Sequence, residues 1–92
     1  MAVYIVTYDL RGEVTSNKYN RLIELIKEEG IWARLGGSSY LIVSENNPVF
    51  LRDKFKTAID SNDYLYVGEV IAPAAWYGYS KEVSDWIIEK LK

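Results

Sequence analysis

The chain has 92 residues, a formal net charge of −2 and a pI near 5.1. This length suits one domain with a single core, and the acidic balance argues against a dedicated nucleic-acid binder, which normally carries a basic surface. There is no cysteine and no histidine, which excludes disulfides, histidine-based catalysis and structural zinc sites. A bound metal would therefore be a hard cation with oxygen ligands, Mg²⁺ or Mn²⁺. With no signal peptide and no long apolar run, the sequence predicts a cytoplasmic protein that does not enter a membrane.

The first predicted element is a strand in the segment Ala2–Arg11, whose β-branched and aromatic residues are apolar on both faces. This pattern is typical of a central strand that is covered on both sides. The strand stops at Asp9, so it presents a carboxylate at its end. Such an acid is suited to hold a metal or a catalytic group; the alternative is that Asp9 only starts a turn.

A helix is predicted next, capped by Ser16 or Asn17, running to about Glu29 and ended by Gly30. Its apolar stripe consists of Tyr19, Leu22, Ile23, Leu25 and Ile26. The segments Ile31–Leu35 and Ser39–Val43 then form a predicted hairpin, because Gly36-Gly37 between them is a two-residue turn signal.

The second half of the chain contains two more predicted helices and one strand. Asn47-Pro48 combines a cap with proline at the first helical position. The inward-facing residues of the helix that follows are predicted to be Phe50, Leu51, Phe55, Ala58 and Ile59. A turn over 60–63 leads to a strand from Tyr64 to Ile71, and Ser80 caps a terminal helix.

This order predicts an α+β fold, a ferredoxin-like βαββαβ sandwich with a four-stranded antiparallel sheet in the order 4-1-3-2 and an added C-terminal helix. The chain is one domain, with a core over 2–71 and an aromatic segment and helix over 72–92. The second sheet face is left to the terminal segment or to a second copy, since apolar strand residues exceed what two helices can cover. We therefore predict a homodimer, with Trp76 and Tyr77 at its interface.

Chain direction brings polar residues together at the edge of the sheet where the first strand ends. These residues are Asp9, Ser38, Ser39, Asp60 and Asp63, with Arg11, Lys18 and Arg21 nearby. Carboxylates with hydroxyls suit magnesium, so Asp9 and Asp63 are candidate metal ligands; the alternative is that Asp60 and Asp63 are turn residues. The basic and hydroxyl residues, Arg11, Lys18, Arg21, Ser38 and Ser39, are candidates for weak contact with nucleic acid.

The strand Tyr4–Leu10, the glycine-ended helix, and the strands Ser39–Val43 and Asp63–Val67 resemble a known family over about Ala2–Ile71. The resemblance is to the small CRISPR-associated nuclease-like subunit of the spacer-acquisition complex and to its relative, virulence-associated protein D. It implies a ferredoxin-like homodimer, and several family members are metal-dependent nucleases. Their functional aspartate closes the first strand and corresponds to Asp9, which makes this residue the candidate catalytic group.

Two departures from the family pattern leave two functions open. The basic cluster after the first strand is thin, and the ending 74–79 resembles small uncharacterised phage and bacterial proteins instead. One function is an endonuclease that cleaves RNA or DNA phosphodiesters with Mg²⁺ or Mn²⁺ at Asp9. The alternative is a non-catalytic dimeric binding or regulatory protein of a phage, mobile element or defence system, whose partner is nucleic acid or a protein of that system.

Overall fold

A computed structural model describes residues 1–11 and 15–91 of the chain. The elements in chain order are β1 Ala2–Asp9, α1 Ser16–Lys27, β2 Ile31–Gly36, β3 Ser39–Ser44, α2 Pro48–Lys56, β4 Tyr64–Val70 and α3 Lys81–Lys90. Within these described ranges, no helix is long and apolar enough to cross a membrane.

The four strands form one antiparallel sheet in the order β2-β3-β1-β4, which from the opposite edge is β4-β1-β3-β2. β1 lies inside the sheet, where Val6 is opposite Tyr40 of β3 and Val67 of β4. Successive side chains of a strand point to opposite faces, so β1 contributes to both faces. Tyr4, Val6 and Tyr8 are buried on one face, whereas on the other face Val3 is buried and Asp9 is exposed. The prediction of a strand covered on both sides is therefore confirmed for the beginning of β1 and wrong for its end.

The larger core lies between one sheet face and the helices α1 and α2. Its buried members are Tyr4, Val6, Tyr8, Leu22, Leu25, Ile26, Tyr40, Ile42, Leu51 and Phe55. Leu22 and Phe55 are completely removed from solvent, and full burial of such side chains stabilises by about 2–3 kcal/mol each. This core fixes the position of β1 and thereby the position of the residues at its end.

A smaller core lies on the opposite sheet face, beneath α3. Its buried members are Val3, Leu41, Val43 and Ile87, and Ile5, Leu35, Val70, Trp76, Val83, Trp86 and Leu91 pack against them. The terminal segment therefore covers the part of this face formed by β2, β3, the beginning of β1 and the end of β4. The strand residues opposite the end of β1 are not part of this cluster.

Sequence signals located most helix starts. The side chains of Asn47 and Ser80 accept hydrogen bonds from the amides of Phe50 and Val83, as their predicted capping roles require. The prediction for α1 was wrong by one position, because the cap is Thr15, whose hydroxyl accepts from the Lys18 amide at 3.1 Å.

Two further predictions are corrected by the structure. Phe50 was predicted to face inward but is 53% exposed. It precedes Leu51 by one residue, a rotation of about 100° around the helix, and α2 buries Leu51 and Phe55 instead. The hairpin turn consists of Gly37 and Ser38, since β2 includes Gly36.

Candidate functional site

The edge of the sheet at the end of β1 gathers several of the residues selected from the sequence. Asp9 lies opposite Tyr64 at the start of β4, and Thr7 lies opposite Ser39 at the start of β3. The chain therefore brings the end of β1 and the beginnings of both neighbouring strands to one place. The prediction that these segments converge is confirmed.

Asp63 lies inside this edge, and its side chain is completely buried. Its Oδ1 accepts a hydrogen bond from the Arg11 amide at 2.7 Å, and its Oδ2 accepts one from the Asp60 amide at 2.8 Å. The Lys18 ammonium lies 2.5 Å from the same Oδ2. Both carboxylate oxygens are thus engaged within the chain, and Asp63 ties the residues after β1 to α1 and to the turn before β4.

The predicted basic contacts to nucleic acid are all ion-paired in the structure. Lys18 is 9% exposed and also pairs with Asp60 at 2.8 Å. Hydrogen bonds to Asp60 and Asp63 raise the pKa of Lys18 above its usual value, so this ammonium stays charged. Arg21 pairs with Glu24 at 2.7 Å on the surface of α1.

Arg11 and Asp9 form an exposed pair beside the first residue of β4. The Arg11 Nη1 lies 3.2 Å from the Asp9 Oδ2, and their side chains are 54% and 61% exposed. The Arg11 guanidinium also lies over the Tyr64 ring, 5.0 Å from its centroid, a cation–π distance. Asp9 is therefore accessible at this edge, as is Asp60, whereas Asp63 is enclosed.

Two candidate metal ligands thus have different environments. Asp9 offers exposed oxygens, while those of Asp63 accept two backbone amides and face an ammonium group. In residues 1–11 and 15–91, no group of three or more acidic side chains is arranged to hold a metal ion. The described residues thus show no preformed carboxylate cluster, and the magnesium or manganese site stays a prediction centred on Asp9, since Mg²⁺ can take one or two carboxylates and complete its shell with water.

The two predicted serines contribute to the sheet itself. The Ser39 hydroxyl lies 3.0 Å from the Thr7 hydroxyl on the neighbouring strand, and the Ser38 carbonyl accepts a hydrogen bond from the Tyr8 amide at 3.1 Å. A hydroxyl pair of this kind is a stabilising cross-strand contact. Both serines therefore support the hairpin next to Asp9.

The part of the sheet face that α3 leaves uncovered carries two exposed tyrosines. Strand register places Tyr64, Tyr66 and Gly68 on the same face as Asp9, Thr7 and Ile5. We call the surface formed by Thr7, Asp9, Ser39, Tyr64 and Tyr66 the open sheet surface. Tyr64 is 59% and Tyr66 is 63% exposed.

Gly68 permits the position of the Tyr66 ring. A Cβ at Gly68 would stand 2.6 Å from Cε1 of this ring and 2.9 Å from its hydroxyl, closer than such atoms approach. The outer edge of the Tyr66 ring therefore lies against the glycine on this face of the sheet. Glycine within a strand often marks a place where another group approaches the backbone closely, as the Tyr66 ring does at Gly68.

Sequence reasoning missed Tyr64 and Tyr66 as surface residues, although a signal for them was present. The segment Tyr64-Leu65-Tyr66-Val67 alternates between aromatic and aliphatic residues, the period-2 pattern of a strand with two different faces. Leu65 and Val67 pack against the larger core. The two tyrosines therefore had to share the opposite face.

Trp76 and Tyr77, the predicted interface residues, have opposite surroundings. Trp76 packs against the smaller core, and its Nε1 donates a hydrogen bond to the Ser84 hydroxyl at 3.1 Å. Tyr77 is 99% exposed. Trp76 thus closes the terminal segment over the sheet, and Tyr77 is the member of the pair that a partner could contact.

Comparison with known proteins assigns this site to no family. No protein-family model matches the chain, and no curated protein matches it. The resemblance to the CRISPR-associated subunit and to virulence-associated protein D therefore stays a prediction from the sequence, and the site is interpreted from its own geometry.

Proposed function

We propose that this chain is a ferredoxin-like, non-catalytic binding protein that acts as a homodimer through the open sheet surface. Support for the fold assignment comes from the βαββαβ order and from the inner positions of β1 and β3 in the sheet. The observation that carries the functional proposal is the pair of exposed tyrosines, Tyr64 and Tyr66, on a sheet face that α3 covers only in part.

The composition of the open sheet surface favours a protein partner over a small molecule. Tyrosine is enriched in the centres of protein interfaces, where its ring is buried and its hydroxyl bonds to the partner. The cavity among Thr7, Asp9 and the two tyrosines has a volume of about 190 Å³, below the range of about 300–1,000 Å³ typical of ligand pockets. A flat aromatic surface of this kind suits contact with another folded surface.

The charges around this surface favour a second copy as the partner. Asp9 and Arg11 lie side by side, so their net charge is zero. A patch with one positive and one negative group is electrostatically complementary to a second copy of the same patch. A two-fold axis places the same patch on both copies, which lets Asp9 of each copy face Arg11 of the other. Nucleic acid is less suited, because Arg11, Lys18 and Arg21 already pair with carboxylates.

Sedimentation of the purified chain tests this proposal. We expect a mass near twice 10.6 kDa at micromolar concentration, and a shift to the monomer mass when Tyr64 and Tyr66 are both replaced by serine. The matched control is Phe50→Ser, which removes an aromatic ring of similar exposure from α2 and should leave the dimer intact. A monomeric wild type, or dissociation caused only by Phe50→Ser, would contradict the proposal.

A metal-dependent nuclease is the second candidate function, and the exposure of Asp9 is the observation that favours it. Asp9 ends a buried central strand, so the core fixes its position while its side chain stays accessible. A hard cation here would take Asp9 as one carboxylate ligand and complete its shell with water, substrate phosphate or Asp9 of a second copy. A two-fold arrangement that brings the two Asp9 residues together, in place of the Asp9–Arg11 contacts described above, would let a cation relieve their mutual repulsion.

Cleavage assays on RNA and DNA with Mg²⁺ or Mn²⁺ separate the two candidates. If the protein is a nuclease, Asp9→Asn should abolish cleavage without changing the far-UV circular dichroism, because asparagine keeps the side-chain size and removes the charge. Asp60→Asn alters another exposed carboxylate of the same edge and should retain activity. Cleavage that survives both Asp9→Asn and EDTA would reject this site, and a wild type without cleavage would leave the binding proposal.

A further inference from the structure

β4 lies at one edge of the sheet, and its outer side pairs with no strand among the described residues. Its residues Tyr64–Val70 pair with β1 in one continuous register. The strand contains no proline, lysine or arginine, which are residues that commonly keep an exposed edge from pairing with another chain. The edge of β4 is therefore regular and open to a further strand.

The other edge strand, β2, is protected from such pairing. Its register with β3 shifts between Arg34 and Gly36, and an irregularity of this kind bends a strand and interrupts regular pairing. Arg34 also adds a charged side chain to this edge, a second common form of protection. The two edges of the sheet thus differ, and β4 is the one that suits pairing with another chain.

The hydrogen bonds of β1 determine which backbone groups of β4 point outward. The Tyr8 amide donates to the Ser38 carbonyl beside β3 at 3.1 Å, so the backbone groups of Tyr8 face β3. The direction of these groups alternates along a strand, and those of Thr7 consequently face its β4 partner, Tyr66. By the same alternation, the β4 residues whose amides and carbonyls point to the free edge are Leu65, Val67 and Glu69.

A groove beside this edge offers a place for a side chain of an added strand. Residues that lie opposite each other on neighbouring strands share a sheet face, so a residue opposite Leu65 would point to the side on which α2 lies. The groove there has a volume of about 420 Å³. Its lining includes apolar groups and charges of both signs, from Ile59, Leu65, Arg52, Lys56, Asp60 and Asp63. Because these charges balance, an aliphatic side chain suits the groove.

Glu69 indicates the charge of the partner. It is the charged residue of β4, its side chain is exposed, and it forms no ion pair within the part of the chain that the structure describes. Opposite charges that face each other across two strands stabilise their pairing, so an added strand should carry lysine or arginine opposite Glu69. The β4 strand of a second copy cannot supply this cation, because β4 contains neither residue.

We propose that the edge of β4 binds an extended segment of a partner protein as a fifth strand, antiparallel to β4, with a basic residue opposite Glu69 and an aliphatic residue opposite Leu65. The backbone of this segment exchanges hydrogen bonds with the outward-facing amides and carbonyls of β4, which supply the affinity, and the groove supplies the specificity. The proposal does not rest on the proposed dimer, because Leu65, Val67 and Glu69 direct their side chains to the face opposite the open sheet surface.

NMR spectroscopy of the ¹⁵N-labelled chain tests this inference with the synthetic peptide acetyl-TKTVTVT-amide, whose lysine lies opposite Glu69 in the expected register. We expect a Kd below about 1 mM and slower exchange with water at the amides of Leu65, Val67 and Glu69. The amide of Trp32 faces the outer side of β2 by the same alternation, so its exchange should not change.

Two N-methylated peptides are matched controls that leave the protein unaltered. N-methylation of the valine opposite Val67 removes a hydrogen bond to β4 and should weaken binding at least about tenfold. N-methylation of the threonine opposite Tyr66 alters an amide that faces away from β4 and should change binding by less than about twofold.

A charge exchange tests the role of Glu69. Glu69→Lys should weaken binding of the lysine peptide about fivefold, the effect of losing a cross-strand charge pair, and a peptide with glutamate in place of lysine should restore it. The inference is overturned if the peptide does not bind at about 1 mM, if the two N-methylated peptides bind equally, or if Glu69→Lys binds the lysine and glutamate peptides equally. It is also overturned if the amides of Leu65 and Val67 are protected in the free chain and lose this protection on dilution, because a second copy then occupies the edge.

Discussion

Replacing Asp63 with asparagine is expected to lower the free energy of unfolding by about 3 kcal/mol, the loss typical of breaking a buried ion pair. The Asp63 side chain is completely buried, accepts from the amides of Arg11 and Asp60, and faces the Lys18 ammonium. Asparagine keeps one acceptor oxygen but places an NH₂ group where the second oxygen stood. That donor would meet another donor, and the charge that compensates Lys18 would be lost.

Urea unfolding of the wild type and of Asp63→Asn measures this effect. The midpoint temperature of thermal unfolding should fall by about 12 °C or more for a domain of this size. Asp60→Asn is the matched control, because the Asp60 side chain is 56% exposed and such pairs contribute about 0–1 kcal/mol. Since the pKa of Lys18 is raised, its charge persists up to strongly alkaline pH, and the Asp63 effect should be the same at pH about 6 and about 9. Equal effects of the two variants would contradict the role of Asp63.

The same substitution links stability to the open sheet surface. Asp63 holds the Arg11 amide, and Arg11 pairs with Asp9 and lies over Tyr64. Loss of the anchor should therefore loosen the residues beside the proposed interface before the whole domain unfolds. A dimer that weakens in Asp63→Asn while the two tyrosines are intact would identify this edge as part of the interface.

Sequence reasoning predicted the sheet edge because strand direction is a property of chain order. Once β1 is central and its connections are right-handed, the end of β1 at Asp9 must lie beside the starts of β3 and β4. This follows from the topology and does not depend on the side-chain contacts. Caps such as Asn47 and Ser80 are equally local, since each bonds to an amide three residues away. The helix caps depend on neighbouring residues and the sheet edge depends on topology, and residue patterns in the sequence indicate both.

The pairing and burial of individual side chains could not be predicted in the same way. Lys18 and Asp63 are 45 positions apart, and their pairing depends on how α1 lies against the turn before β4. The orientation of α2, which exposes Phe50, depends on a rotation of about 100° per residue that a short apolar stripe does not fix. Trp76 was predicted at an interface because aromatic residues suit cores and interfaces alike, and its packing against the smaller core and its hydrogen bond to Ser84 become visible only in the folded chain.

At the opposite end of the sheet, Glu29 should make the stability of the domain depend on pH in the acid range. Its side chain is 6% exposed and joins three elements, since it accepts from the Ser44 hydroxyl at 2.7 Å and from the Lys54 ammonium at 2.9 Å. Burial alone would raise the pKa of Glu29, but these hydrogen bonds outweigh it and lower the pKa. The ionised form is therefore favoured by the folded state.

The sign of the effect follows from proton binding. Because the pKa of Glu29 is lower in the folded state, the unfolded chain takes up its proton first as the pH falls. The contribution of Glu29 is complete above the usual pKa of a glutamate and is lost as the pH falls through the lowered value. We expect Glu29→Gln to cost about 2 kcal/mol at pH about 7 and much less at pH about 3.

Urea unfolding of the wild type and of Glu29→Gln at both pH values measures this difference. Glu28→Gln is the control, because Glu28 approaches the same Lys54 at 3.4 Å but is 46% exposed, and exposed pairs are largely screened. Its effect should be small and nearly constant with pH. If the difference between the wild type and Glu29→Gln is the same at both pH values, the glutamate acts through packing alone, and its charge does not hold α1, β3 and α2 together.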